Sequence, residues 1–146
     1  TEIAQYASKA GYRVGLIDLD PEKLEETQSK IKNSIALKAD ITQEDSVLEA
    51  LDSFGEIPDA LVNCAGIVRF GSLLEQEIKD FRDVINVNLL GCFIVSCLVA
   101  KSMIKKNRGN IINIASARGC FRPAEMKGVG EFYEKLLALL PKENNN

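Results

Sequence analysis

Several polar side chains that could do chemistry stand at the ends of short apolar segments of the chain. Asp18 ends the first of these segments, and Asp40 follows the second. Asn63 ends the third, and Ser116 follows the fourth, Asn110–Ile114, which holds three isoleucines and no charge. A carboxylate can accept hydrogen bonds from sugar hydroxyls, and a serine hydroxyl can donate one to a ligand oxygen. Each residue alone also fits a structural role, Asp40 as a helix-entry residue and Asn63 or Ser116 as a turn former.

The chain contains no histidine, and this limits the chemistry open to its hydroxyl and thiol groups. Ser116 has no histidine base for Ser-His-Asp hydrolysis and lies in no Gly-x-Ser-x-Gly motif. The four cysteines form no Cys-x-x-Cys pair, and their spacing matches no common zinc pattern. We therefore expect no metal site, and free thiols in a reducing cytoplasm.

Composition and charge exclude several broad classes of protein. The chain has 146 residues, 46% of them hydrophobic and 27% charged, which is enough for one globular domain with a core. The net charge of −3 gives no basic footprint for nucleic acid or for an acidic membrane surface. The longest apolar stretch, Leu89–Ala100, is too short to span a bilayer. We therefore expect neither a nucleic-acid partner nor a membrane partner.

The elements that must position these polar residues alternate between helix and strand. Helices are predicted at Thr1–Ala10, Glu22–Lys32, after Thr42 and at Glu75–Lys106, and strands at Tyr12–Leu19, Ile35–Leu37, Asp59–Asn63 and Asn110–Ile114. This order predicts an α/β fold, a Rossmann-like, doubly wound parallel sheet in a three-layer αβα arrangement. The uncharged run Asn110–Ile114 predicts a strand buried on both faces. Parallel strands would gather the polar residues outside their carboxyl ends, where such sheets bind ligands.

Short motifs follow one another in an order that is specific as a set. They are Asp18, the pair Asp40-Ile41, Asn63-Cys64-Ala65-Gly66, Asn86-Val87-Asn88-Leu89-Leu90-Gly91, and Gly109–Ser116 with Gly119. Taken together, they resemble the classical short-chain dehydrogenase/reductase family over about Thr1 to Pro123. Cys64 departs from the pattern, because the family's motif reads Asn-Asn-Ala-Gly and has asparagine at this position.

The resemblance implies an NAD(P)-dependent oxidoreductase that transfers a hydride between a nicotinamide cofactor and a small alcohol or ketone. The cofactor-binding residues that it implies are Asp18, Asp40, Ile41, Asn63, Ala65 and Gly66. Asp18 falls on the residue that favours NAD over NADP, because its carboxylate accepts ribose hydroxyls and repels a 2′-phosphate. Ser116 and Asn88 fall on the family's catalytic serine and asparagine. Ser116 would bind the substrate oxygen, and Asn88 would hold a water that connects a catalytic lysine with solvent.

Two parts of the family pattern are absent from the sequence. No glycine-rich phosphate loop precedes the first helix, and no Tyr-x-x-x-Lys motif follows Ser116. Val129 stands near the position where the tyrosine is expected, and Tyr133 is followed at the lysine position by Leu137. In the family this tyrosine transfers the proton that accompanies the hydride, and the lysine lowers the pKa of the tyrosine from its usual value of about 10.

We therefore interpret residues 1–146 as a single, incomplete dinucleotide-binding domain. The strand that precedes the first helix in the family lies at the centre of the sheet, so its absence would leave a large apolar gap. Residues 124–140 resemble the helical lid segment that covers the family's substrate site. Two explanations stay open: the sequence joins ordered pieces of a longer protein, or it is a truncated or spliced product that folds poorly.

Two functions of different kinds are compatible with these motifs. Ser116 and Asn88 favour an enzyme, whereas the missing tyrosine favours a non-catalytic dinucleotide-binding or scaffold relative if these 146 residues are the whole protein. We also expect a homodimer or homotetramer, because Phe93, Ile94 and Leu98 form an apolar stripe beyond what one sheet face covers. Burial of this stripe within the monomer is the alternative.

Overall fold

Helices and strands alternate along the chain, as the sequence predicts. A computed structural model describes residues 1–69 and 74–115. The helices are α1 (Glu2–Lys9), α2 (Pro21–Ser29), α3 (Glu44–Phe54), α4 (Ile78–Ile85) and α5 (Cys92–Lys105), and the strands are β1 (Val14–Asp18), β2 (Ser34–Lys38), β3 (Ala60–Asn63) and β4 (Asn110–Asn113). A π-helical turn, Asn86–Gly91, joins α4 to α5. Ser116 and the predicted lid segment 124–140 lie outside the described residues.

The strands form two parallel pairs. β1 pairs with β2, where Val14 lies opposite Ser34, and β3 pairs with β4, where Ala60 lies opposite Asn110. Parallel pairing requires crossover connections, and helices supply them, so the predicted α/β class with parallel strands is confirmed. Within residues 1–69 and 74–115 no strand joins the two pairs, and β1 and β3 each pair on one side only.

The core is organised around α3, whose buried face reaches two hydrophobic clusters. The cluster that joins α3 to α5 consists of Val47, Val95, Leu98, Val99 and Met103. The cluster that joins α3 to β2 consists of Leu37, Ala39, Ala50 and Phe54. Leu61 of β3 packs against the first cluster. Because α3 contributes to both clusters, it connects the β1–β2 pair with the helix that lies on β3 and β4.

The prediction that the Asn110–Ile114 strand is buried on both faces is wrong for the described residues. Burial alternates along β4, and the side chain of Ile111 is 37% exposed. The physical reason is that β4 pairs only with β3 in the described part of the chain, and that α5 packs on it. The uncharged run therefore did not correctly predict that both faces of β4 are buried.

The helix Ile78–Lys105 is apolar along most of its length. It is long and apolar enough to cross a membrane by length and composition alone, with a mean hydropathy of 2.0 in its most apolar window. Its buried residues Val95, Leu98, Val99 and Met103 pack in the core against α3, which accounts for one apolar face. A core helix of a globular domain passes the same test of length and composition.

Candidate functional site

Two carboxylates lie at the same end of the β1–β2 pair, as the sequence predicts. Asp18 is the last residue of β1, and its main-chain oxygen accepts a hydrogen bond from the N–H of Ala39 at 3.0 Å. This bond brings the residue before Asp40 beside the end of β1. The carboxylate of Asp18 is exposed, and its Oδ1 accepts the N–H of Asp20 at 3.0 Å. The acidic group is thereby oriented while it stays open to a ligand.

Asp40 organises the entry to α3. Its Oδ1 accepts hydrogen bonds from the N–H of Thr42 at 2.9 Å and from its hydroxyl at 2.7 Å. Its own N–H donates to the hydroxyl of Ser46 at 3.0 Å. The helix-entry role considered from the sequence is therefore real, and it occupies one of the two carboxylate oxygens. Among the described residues, Oδ2 of Asp40 receives no hydrogen bond and remains for a ligand.

An ion pair stands next to Asp18 at the start of α2. Asp20 accepts the N–H groups of Glu22 and Lys23 and so caps the helix. The ammonium of Lys23 lies 3.1 Å from Oδ2 of Asp20. The hydrogen bond from Lys23 lowers the pKa of the Asp20 carboxyl, and the same bond raises the pKa of Lys23. Both groups are charged at neutral pH, so the ion pair beside Asp18 does not change its charge near pH 7.

At the end of the β3–β4 pair, Asn63 is engaged inside the protein. Its amide nitrogen donates to the hydroxyl of Ser96 and to Oδ1 of Asn113, each at 2.8 Å. The thiol of Cys92 donates to the same Asn113 oxygen at 3.3 Å. These bonds tie β3 to β4 and to α5, which gives Asn63 a positioning role. Ser96 and Asn113 were not predicted from the sequence as site residues. The signals that could have indicated them are a hydroxyl inside an apolar helix and an amide at a strand end.

Asn88 closes a clamp on the segment that follows β3. Its Nδ2 donates to the main-chain oxygen of Ile67 at 2.9 Å, and its Oδ1 accepts the N–H of Ile67 at 2.8 Å. A Cβ atom on Gly66 would stand 3.4 Å from Oδ1 of Asn88, so this glycine lies directly beside the clamp. The exposed residues Cys64 and Ala65 complete the segment. Asn88 thus holds the loop rather than presenting a free amide.

Ile41 points into the protein. It packs against the core cluster between α3 and α5, and its Cδ1 and Cγ1 atoms would each lie 2.8 Å from a Cβ atom placed on Gly91. Gly91 is buried in the π-helical turn. Since the side chain of Ile41 is used for packing, its main chain is the part that remains available to a ligand.

The structure therefore brings the predicted residues together in two groups. Asp18, Asp40 and Ile41 stand at the end of β1 and β2, and Asn63, Ala65, Gly66 and Asn88 at the end of β3. The contact between Ile41 and Gly91 links the two groups. Ser116 follows β4 but lies outside the described residues. Within 1–69 and 74–115 no group of histidine, cysteine or acidic residues could hold a metal ion, and Cys64, Cys92 and Cys97 are free thiols.

The acidic and amide residues lie at the carboxyl ends of parallel strands, which is where open α/β sheets bind ligands. The chain belongs to the short chain dehydrogenase family, which it matches over residues 1–128. It also has the doubly wound Rossmann fold, because a solved 3-oxoacyl-(acyl-carrier protein) reductase from Brucella melitensis superposes with a TM-score of 0.74. That similarity has 26% sequence identity and covers 94% of this chain and 58% of the other.

Two relatives show how far the sequence similarity extends. A 3-oxoacyl-(acyl-carrier-protein) reductase of Synechocystis sp. is 41% identical over 90 residues, which are 59% of this chain and 36% of that protein. A protein of Xanthobacter autotrophicus named inactive 2-(S)-hydroxypropyl-CoM dehydrogenase 2 is 32% identical over 122 residues, which are 80% of this chain and 53% of that protein. The chain thus spans about a third to a half of the length of the curated relatives it matches.

Proposed function

We propose that the protein is an NAD-dependent oxidoreductase of the short-chain dehydrogenase/reductase type, acting on a small alcohol or ketone. The observation that carries this proposal is the placement of Asp18 and Asp40 at one end of the β1–β2 pair, with Asn88 clamped on the Gly66–Ile67 segment. These residues supply hydrogen-bond acceptors and close backbone approach where an open α/β sheet binds a dinucleotide.

The residues present fit the adenosine side of a nicotinamide dinucleotide. Asp18 would accept hydrogen bonds from the ribose hydroxyls, and its exposed carboxylate would repel the additional phosphate of NADP. Oδ2 of Asp40 and the main chain of Ile41 would contact the adenine. The exposed main chain of Ala65 and Gly66 would line the path toward the nicotinamide. Asn63 would act indirectly, because its amide holds β3 to β4.

The chain's own residues would orient the substrate and support proton transfer. The nicotinamide, when bound, supplies the hydride chemistry. The Ser116 hydroxyl would donate a hydrogen bond to the substrate oxygen and stabilise the charge that develops there. Because both polar groups of the Asn88 amide are bound to Ile67, a water that leads to solvent would bind the main chain of this π-helical turn. The family's Tyr-x-x-x-Lys pair, which this sequence does not contain, would complete the site.

We also propose a cytoplasmic homo-oligomer, a dimer or tetramer, that pairs the long helix. Of the predicted stripe, only Phe93 is available, because Leu98 is buried and Ile94 packs on the core. The exposed large apolar residues along this helix are instead Ile78, Phe81, Ile85, Leu89, Leu90, Phe93 and, near its end, Ile104. An isologous contact would cover them.

A non-catalytic dinucleotide-binding protein is the second candidate. The absence of Tyr-x-x-x-Lys would favour it if these 146 residues were the whole protein, and the Xanthobacter relative is itself named inactive. The intact mass of the purified natural protein separates the cases first. A mass well above 16.1 kDa would show that further segments, which could carry the tyrosine and lysine, exist outside this sequence.

The enzyme proposal is tested with the intact protein and a panel of small ketones and alcohols. We expect NADH to be oxidised with a ketone, or NAD⁺ reduced with an alcohol, and the rate to fall when Ser116 is replaced by alanine. Tight NADH binding without turnover on any member of the panel would instead support the non-catalytic candidate. Loss of both binding and turnover would contradict the two proposals together.

A further inference from the structure

Ile41, from the first group of site residues, lies against Gly91, which ends the helical turn that carries Asn88 of the second group. The glycine is buried in the π-helical turn Asn86–Gly91, and the branched side chain of Ile41 fills the space beside it. A Cβ atom at Gly91 would lie 2.8 Å from both Cγ1 and Cδ1 of Ile41, a distance at which one side must move. A Cβ would also stand 3.4 Å from the main-chain oxygen of Asn86. With Ile41 in this position, a side chain at residue 91 is therefore not accommodated.

The contact joins two short segments, and side-chain hydrogen bonds hold each of them. On one side, Ile41 follows Asp40, whose carboxylate holds the N–H and hydroxyl of Thr42. On the other side, Gly91 ends the same helical turn that carries Asn88, whose amide holds both main-chain groups of Ile67. Packed side chains transmit small displacements to their neighbours, so we expect a movement of Ile41 to reach the Asn88 clamp through this contact.

We propose that Gly91 is a positioning residue that couples the Asp40–Ile41 loop to the Asn88–Ile67 clamp through the side chain of Ile41. Gly91 is buried and is not among the residues that we expect to touch the cofactor or the substrate; it acts by letting Ile41 pack against the helix. The consequence for binding rests on the proposed function: the loop expected at the adenine and the clamp expected near the nicotinamide keep one relative position. A dinucleotide that contacts both then meets a preorganised site.

Amide hydrogen exchange of the intact protein tests the coupling without any cofactor. The reporters are the N–H of Thr42, bound to Asp40, and the N–H of Ile67, bound to Asn88. The internal control is the N–H of Val14, which donates to the main-chain oxygen of Asn33 at 2.9 Å at the start of β1. In Gly91→Ala, exchange at both reporters should rise about tenfold relative to Val14, as expected when a buried contact is overpacked.

A compensating substitution separates coupling from simple damage. Ile41→Ala removes Cγ1 and Cδ1, the two atoms in conflict, and leaves room for the methyl group that Gly91→Ala adds. Gly91→Ala/Ile41→Ala should therefore return both reporters most of the way to the unmutated rates. Ile41→Val alone keeps Cγ1 in the contact and should leave both reporters nearly unchanged. A rise at Ile67 without a rise at Thr42, or a double variant as perturbed as Gly91→Ala, would overturn the proposal.

A replacement variant and a measurement of NADH binding complete the test. If Gly91→Ala does not fold, Ile41→Ala replaces it, since it removes the contact by leaving a space; unchanged exchange at Ile67 would then overturn the coupling. NADH titration of the same variants should show weaker binding in Gly91→Ala and recovery in the double variant. If the unmutated protein binds no NADH, the proposed function fails, while the exchange results still decide the role of Gly91.

Discussion

The carboxylate of Asp18 is exposed at the end of β1, and the N–H of Asp20 orients one of its oxygens at 3.0 Å. Asp18→Asn keeps an acceptor for this N–H and removes the charge. We expect the preference for NADH over NADPH to fall by about tenfold or more, because a single repulsion between a carboxylate and a phosphate is removed. Fluorescence titration with the two cofactors measures it.

The matched control for this substitution is Asp52→Asn, an exposed carboxylate on α3 away from the strand ends. It should leave the ratio of the two affinities unchanged. A change of the same size in both variants would assign the preference to net charge rather than to Asp18.

Ser116 is the residue that we expect to act on the reaction itself. Ser116→Ala should reduce turnover by about a hundredfold or more and leave NADH affinity nearly unchanged, since the hydroxyl would stabilise charge on the substrate oxygen during hydride transfer. Steady-state kinetics beside NADH titration measures both effects. If Ser116 only forms a turn, alanine should cost about 1 kcal/mol of stability with normal turnover.

At the scale of elements, α3 is the helix on which both hydrophobic clusters depend. Val47 is fully buried at 0% exposure, whereas its neighbour Leu48 is 40% exposed. Val47→Ala should lower the free energy of unfolding by about 2 kcal/mol, because it removes buried methyl groups and leaves a cavity. Leu48→Ala should change it by less than about 0.5 kcal/mol. Denaturant unfolding of the two variants measures the difference, and equal effects would contradict the role given to α3.

Local sequence patterns predicted the helices and strands to within a few residues, together with the strand ends that carry Asp18, Asp40 and Asn63. They did not predict the π-helical turn, because that turn is accompanied by tertiary bonds between Asn88 and Ile67. Periodicity also could not show that Asn63 is held by Ser96 and Asn113, since the three residues come from different elements. Contacts between elements were therefore the part that sequence could not supply.

The exposed apolar side chains along the long helix lead us to expect that the protein is an oligomer. Phe81 and Phe93 are 59% and 63% exposed, which is unusual for large apolar residues on one helix. The intact protein should be a homo-oligomer by light scattering at micromolar concentration, and Phe93→Glu should shift it toward the monomer. Leu48→Glu, on α3, should leave the mass unchanged. A monomeric unmutated protein would contradict the pairing of this helix.

At the scale of the whole molecule, the described strands form two separate parallel pairs. β1 and β3 each pair on one side, so within the described residues each presents an open edge of main-chain groups. Such edges recruit further strands, which agrees with the expectation that a central strand completes this sheet in the family.

Comparison of NADH and NADPH binding to the unmutated, intact protein tests the central claim most directly. The exposed Asp18 carboxylate should accept the ribose hydroxyls of NADH and oppose the extra phosphate of NADPH. In parallel fluorescence titrations at one ionic strength, we expect saturable binding of NADH and affinity for NADPH at least about tenfold weaker. Equal affinity for the two cofactors, or binding of neither, would contradict the assignment of this site.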